Sequence, residues 1–453
     1  LARTLEEWLR VLTWRADRAR PRVTRLRAYT TADAPLPEMG PNLRRSWEAF
    51  QRKALANAGK LIVDTLAERI IPTGLIVGET ADSDVTRQAR RIWRDNRLDV
   101  AVADAVRDAC TVGAGYLLVT VGEDGQAVVT REAPEQLYVE PDATRPWRAI
   151  AAIKAWRDPL AKTDHLLMWA DGMFSVWQRA SAGDDGITLD TVSGGGWALV
   201  RLPVEYAGSV PVVILENKDG KGEFEDSTGL IDRINTGILY RLVTMAMQTY
   251  RQRALKVSGE DGEIPSEDAD GNQIDYQAIF EPGPGALWEL PPGVELWESA
   301  TTDITPMLNA VKDDWRELAA ATHTPVTAML PDAANQSAAG AQQPMNQLVF
   351  KAQDRIKRFA PALAVAMVKA LAVEGVELGV HETVEVKFEP PATVTLSEKY
   401  AAAAQARAAG EALETIQETI LGMSPEQIAQ DKQRRTEEQL LALINAAGGT
   451  GGG

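Results

Sequence analysis

STGLIDRINTGILYRLVTMAMQTYRQRA, residues 227–254, is the stretch on which the fold turns. Leu230, Ile234, Ile238, Leu242 and Met245 fall one turn apart, the period of an amphipathic helix. An acidic Gly/Pro-rich segment, Ser258 to Gly293, follows with turn signals and short apolar pieces. Thr301-Thr302-Asp303 then caps a second helix with Ile304, Leu308, Val311 and Trp315 on one face. Two long helices around a small acidic insertion predict an antiparallel helical hairpin with a small domain at its tip.

On the N-terminal side, Leu5, Trp8 and Leu12 predict an amphipathic, Arg-rich first helix. Asn42 to Ile70 reads as one longer helix on a stripe of Leu43, Trp47, Phe50, Leu61 and Leu66. A short strand, Leu75 to Val77, leads to two helices carrying Val85, Ala89, Ile92 and Trp93, then Val102, Val106 and Cys110. From Gly113 to Asn217 the period drops to two. Tyr116–Val121 and Ala127–Thr130 predict one hairpin, His165–Trp169 and Phe174–Gln178 a second, and Val210–Leu215 a last strand. On the C-terminal side, Pro325 to Pro344 interrupts the helical pattern. It resumes at Met345 with Leu348, Ala352, Ile356, Phe359, Leu363 and Met367 on one face and a kink expected at Pro361. A strand, Val384–Phe388, and Ala-rich helices from Ser397 to Ala446 close the chain. The class is α+β, predominantly helical.

With 453 residues, 45% hydrophobic and 25% charged, the composition is that of a globular protein of two or three domains. The single cysteine, Cys110, leaves no intrachain disulfide or Cys-based zinc site and reads as a small buried hydrophobe. The longest apolar stretch, Ala360–Val373, is broken by Pro361 and Lys369 and falls short of the roughly 20 residues that span a bilayer. No secretory signal is visible, so a soluble chain without a membrane partner is expected.

A net charge of −16 argues against a tight, sequence-independent DNA binder. The charge is uneven: Leu1–Lys60 holds 13 Lys+Arg against 6 Asp+Glu, whereas Ser258–Ala300 holds 11 Asp+Glu and no Lys or Arg. The basic N-terminal segment suits a contact surface, or is simply a solvated helix.

Enzymatic chemistry is missing from the sequence. Lys221 in Gly220-Lys221-Gly222 lacks the remaining glycine and hydroxyl of a phosphate loop. There is no Gly-x-Ser-x-Gly elbow. His165, His323 and His381 stand far apart, and His381-Glu382 has no second histidine at zinc spacing. No catalytic residue, metal site or cofactor is predicted.

Several stretches, taken in order, resemble the portal proteins of tailed phages, the type found in siphophages of Gram-positive hosts. They are Arg91-Ile92-Trp93-Arg94-Asp95-Asn96-Arg97-Leu98-Asp99 with Gly113-Ala114-Gly115-Tyr116-Leu117-Leu118-Val119, and Val210-Pro211-Val212-Val213 with Glu216-Asn217. Ile231-Asp232-Arg233-Ile234-Asn235, Phe280-Glu281-Pro282-Gly283-Pro284-Gly285-Ala286-Leu287-Trp288 and Thr322-His323-Thr324-Pro325 continue the series. Gln342-Gln343-Pro344 departs from the family's pattern at the start of the long helix.

The resemblance implies a portal fold with wing, stem, clip and crown. Residues 1–227 would be the wing, 228–257 and 301–322 the stem helices, and 258–300 the clip. Residues 323–344 would be the tunnel loop, 345–396 the long kinked helix and return strand of the wing, and 397–453 the crown and a flexible tail. It further implies a ring of about twelve copies at one capsid vertex of the virion, assembled in the host cytoplasm. Double-stranded DNA would pass through it without sequence preference. Major capsid protein, scaffold, the terminase large subunit and the head–tail adaptor would be its partners.

Within that frame Asn335, Gln336, Ser337, Gln342 and Gln343 are candidate DNA-facing residues: neutral hydrogen-bonding groups that touch phosphates without gripping them. Lys312 and Arg316, four apart, either line the channel or pair with a neighbouring subunit, the pairing being the commoner use. Trp288 and Trp297, with Glu289 and Glu295, are interface candidates of the acidic clip; the tryptophans serve equally well as its small core. The competing readings are a minor head protein or adaptor, a metal-dependent DNA-processing enzyme, and a soluble host-derived binding module.

Overall fold

A computed structural model describes residues 3–38, 44–78, 83–181, 187, 189, 196–206, 208–249, 253–257, 266–267, 270–275, 294–298, 300, 302–330, 338–379, 382–392 and 396–448. In chain order the elements begin with α1 (Leu5–Ala28), α2 (Arg44–Lys53), α3 (Ala58–Ala67), β1 (Pro72–Val77), α4 (Asp84–Asp95) and α5 (Leu98–Val112). Eight strands follow: β2 (Ala114–Val121), β3 (Ala127–Glu132), β4 (Leu137–Pro141), β5 (Ala149–Asp158), β6 (Thr163–Ala170), β7 (Met173–Ala180), β8 (Ala198–Glu205) and β9 (Val212–Glu216). Then come α6 (Thr228–Thr249), β10 (Arg253–Val257), β11 (Val294–Glu298), α7 (Thr305–Thr322), α8 (Val326–Met329) and α9 (Ala338–Val373). The last elements are β12 (Val384–Phe388), α10 (Leu396–Ala408), α11 (Leu413–Thr419) and α12 (Pro425–Gly448). The α+β class is as the periodicity predicts. The chain divides into a larger unit, Leu1–Pro35 with Ala56–Asp232 and Asp314–Gly453, and a smaller one, Leu36–Leu55 with Arg233–Asp313.

The larger unit is built around three antiparallel sheets, ordered β1-β12, β3-β2-β9 and β4-β5-β6-β7-β8. Both predicted hairpins are present as β2–β3 and β6–β7. Strands β4, β5 and β8 escape the sequence reading. Strand β5 shows why: it is AIAAIKAWRD, apolar on both faces, because each side is covered. Ala151, Ile153 and Ala155 pack with Trp8, Leu9 and Leu12 of α1, while Ala152 joins Leu118, Trp169 and Val212 on the opposite side.

Helix α1 opens on a capping box between Thr4 and Glu7 and buries Leu12 and Leu26 completely. It is therefore a core helix, not a solvated one. Its arginines bind the rest of the unit: Arg22 Nε donates to Glu225 at 2.7 Å, and Arg27 reaches both Asp108 and Glu135 at 2.7 Å.

The single helix predicted over Asn42–Ile70 is two helices. Asn57 adopts the left-handed region at φ 49°, which Asn tolerates better than most residues. Just beyond it, a Cβ on Gly59 would lie 2.8 Å from the Tyr29 carbonyl oxygen, so only glycine lets α3 seat there. The halves also serve different units, the tilted rings of Trp47 and Phe50 meeting in the smaller one with centroids 4.8 Å apart and Ile62 and Leu66 buried in the larger.

In the smaller unit α6 and α7 run antiparallel. A Cβ on Gly237 would stand 2.7 Å from Val311 Cγ2, Thr244 Oγ1 lies 3.9 Å from Met307 Sδ, and Gln248 Nε2 donates to the Thr302 carbonyl at 2.6 Å. Strand β10 pairs antiparallel with β11 from Arg253↔Glu298 to Val257↔Val294. Residues 253–257, expected to close the first long helix, are thus strand. Most of the acidic segment lies outside the described residues.

Helix α9 begins at Ala338, seven residues before the predicted Met345, so Gln342, Gln343 and Pro344 are helical positions and not loop. It is continuous through Pro361. Phe359, Leu363 and Met367 form its fully buried face.

Candidate functional site

The segment where α7 ends, α8 turns and α9 begins is organised by a buried ion cluster. Glu223, in the loop before α6, accepts from Arg355 Nε at 2.7 Å, Lys351 Nζ at 2.8 Å and Asn217 Nδ2 at 2.9 Å. Lys351 also donates to the Thr322 carbonyl at 2.7 Å, tying the last turn of α7 to α9. The Thr322 and Thr324 hydroxyls pair at 2.9 Å. Between them His323 takes φ 51°, which ends the helix. Burial by itself opposes a charge on Glu223, yet Lys351 and Arg355 outweigh it and hold the carboxyl below its ordinary value. The cluster thus pins both ends of the segment that the sequence reading makes a channel loop. A cleft of about 470 Å³ opens over it, walled by Lys218, His323, Gln347 and Phe350.

Of the sequence-predicted residues, Asn335, Gln336 and Ser337 lie outside the described residues, as do Trp288, Glu289 and His381. Gln342 and Gln343 take helical backbone positions in α9, their side chains outside the described set. Lys312 and Arg316 are both exposed, one turn apart on α7. On β11, Glu295 is exposed opposite Lys256 and Trp297 is 52% exposed opposite Ala254, so Trp297 is not a core residue. His165 is a satisfied structural residue: it stacks on Trp156 at 5.2 Å and hydrogen-bonds Thr163 and Gln178. Cys110 is fully buried, and burial pushes its thiol far up. Among the described residues no group of three or more His, Cys, Asp or Glu is placed to hold a metal ion, and no helix is long and apolar enough to cross a membrane.

Buried ion clusters of the larger unit carry no sequence signal and escape prediction. Besides Glu223, Asp108 receives Arg27 at 2.7 Å and Arg131 at 2.6 Å, and Asp164 receives Arg157 at 2.7 Å and Arg179 at 3.1 Å. Only the fold brings these partners together.

Residues 16–439 match the family described as phage portal protein, SPP1 Gp6-like. The chain belongs to this portal protein family. No curated protein sequence matches it. Among solved structures, the portal chain is similar to one from the "Neck of empty GTA particle computed with C6 symmetry", at 16% identity and a TM-score of 0.48 over 88% of this chain and 99% of that one. A second is from the "Neck of native GTA particle computed with C12 symmetry", at 16% identity and a TM-score of 0.47 over 87% and 98%. The portal family is a structural one, and the helices and antiparallel sheets of this chain are consistent with its fold.

Proposed function

We propose that this protein forms a ring of about twelve copies at one vertex of a phage capsid, the channel for genome packaging and ejection. The family match over residues 16–439 carries the reading. In it, the antiparallel pair α6–α7 is the stem and β10–β11 belongs to the clip, where the terminase motor and then the head–tail adaptor dock. The larger unit supplies the wing, and the helices after residue 396 supply the crown. The acidic clip favours basic partner surfaces and an association that weakens with salt, with Trp297 as an exposed anchor.

DNA must slide, so the channel should not hold phosphates: six to ten such contacts change affinity on the order of 10³–10⁵ between low and moderate salt. The neutral side chains Asn335, Gln336 and Ser337 suit that need. Lys312 and Arg316 pair with neighbouring subunits. Mass photometry with negative-stain electron microscopy on the purified protein tests the reading. Closed rings with a central hole support it, and a uniform monomer under all conditions overturns it.

A further inference from the structure

A cleft of about 600 Å³ lies in the larger unit between residues 142–148, β9 and the outer face of α9. Trp147, 69% exposed, stands at its mouth, and Pro361 and Val365 of α9 form an apolar wall. Inside it Lys369 donates to Ser209 Oγ and, at 2.9 Å, to the Val210 carbonyl. Both partners are neutral, and among the described residues no carboxylate pairs with Lys369. Arg148 is the charged group that acts on it, lowering its pKa beyond what burial does alone. Arg358 is held by Asp354 at 3.0 Å, and Glu216 lines the cleft without an ion pair to Lys369. A partly buried cation without a countercharge is costly unless a partner supplies one.

The apolar surface does not stop at the cleft. Phe350, Lys357, Pro361, Val365 and Val368 are exposed on one row of α9, a strip of about 27 Å at 1.5 Å per residue. That is longer than a small ligand covers, and four of its five side chains are apolar. An exposed Trp with an apolar strip and unpaired cations at its edge is the composition of a protein interface. With 64 Asp+Glu against 48 Lys+Arg, another copy of this chain presents mostly the charge that Lys369 and Arg148 lack. A cyclic ring is also closed by heterologous contacts, in which one face of each copy meets a different face of the next.

The geometry points to this cleft and the outer row of α9 as the docking surface for the neighbouring copy in the ring, which places a carboxylate against Lys369. The inference rests on the ring reading above and adds where the copies meet.

Val365→Asp and Lys369→Glu test it, with Leu160→Asp as control, a 95% exposed apolar residue in the turn between β5 and β6. Mass photometry reads copy number, and circular dichroism melts report folding. Expected are rings for the wild type and the control, and a shift to single copies at wild-type melting temperature for both variants, with at least tenfold weaker assembly. Val365 is half exposed, so Val365→Asp still decides the matter if Lys369→Glu folds poorly. Rings of wild-type stability in Val365→Asp overturn the docking surface while the ring reading stands. A wild type without rings overturns the ring reading first, and this inference with it.

Discussion

Replacing Glu223 by Gln removes one charge from a buried ion cluster in the larger unit. Glu223 is 3% exposed at the side chain and holds Lys351 and Arg355. Stripping one partner from a buried pair costs about 3–5 kcal/mol, because the remaining charge stays desolvated. Here the remaining cations are not wholly stranded: Arg355 keeps Asp354, and Lys351 keeps the Thr322 carbonyl. The lower end applies, about 3 kcal/mol, or roughly 6 °C in melting temperature at about 2 °C per kcal/mol for a unit of this size.

The sign of the pH dependence follows from the depressed pKa. The carboxylate's contribution is fully present above the unfolded value near 4.5 and fades as pH falls through the lower folded value. Wild type and Glu223→Gln should therefore differ at pH 7 and converge in acid. Thermal melts across pH measure this, and amide exchange over residues 322–329 should quicken about 100-fold at pH 7, tenfold per 1.4 kcal/mol. A variant that melts within a degree of wild type at pH 7, or a gap that does not close in acid, refutes the reasoning.

Gly115→Ala should cost 1–3 kcal/mol or more, on the order expected for overpacking, because its Cβ would sit 1.9 Å from the Ala105 carbonyl oxygen; denaturant titration reads the loss. Asp164→Asn removes the buried charge that Arg157 and Arg179 share and should lower the melting temperature at neutral pH. That deficit should shrink in acid, since the two arginines, against the opposing effect of burial, hold the wild-type carboxyl below its usual value. Deleting residues 1–27 should give insoluble or unfolded protein, because Leu9, Leu12 and Leu26 are core; sedimentation of the expressed fragment checks it. Trp297→Ala should leave the melt unchanged and weaken adaptor binding in a pull-down, since the ring is half exposed.

Much of the architecture was legible in the sequence because periodicity is a local property. The period of Leu230, Ile234 and Ile238 gave the first helix of the antiparallel pair, and the alternation around Gly122–Gly125 and Asp171-Gly172 gave two hairpins with correct turns. The same locality explains the errors. Strand β5 alternates nothing, since α1 covers one side and the Leu118–Trp169 cluster the other. The break at Asn57 follows from the close approach of Gly59 to Tyr29, and the early start of α9 shows a helix running through a stretch that reads as loop.

By itself, then, the sequence determined the order and type of most elements and the portal resemblance, because each rests on residues near one another in the chain. The tertiary structure alone decided the Glu223 cluster, whose ends are 132 residues apart at Arg355, and the position of Lys369 beside Ser209, 160 residues away. An isolated Glu, Lys or Arg in a sequence carries no mark of its partner. Burial sets the worth of a charge, and burial exists only once the chain has folded.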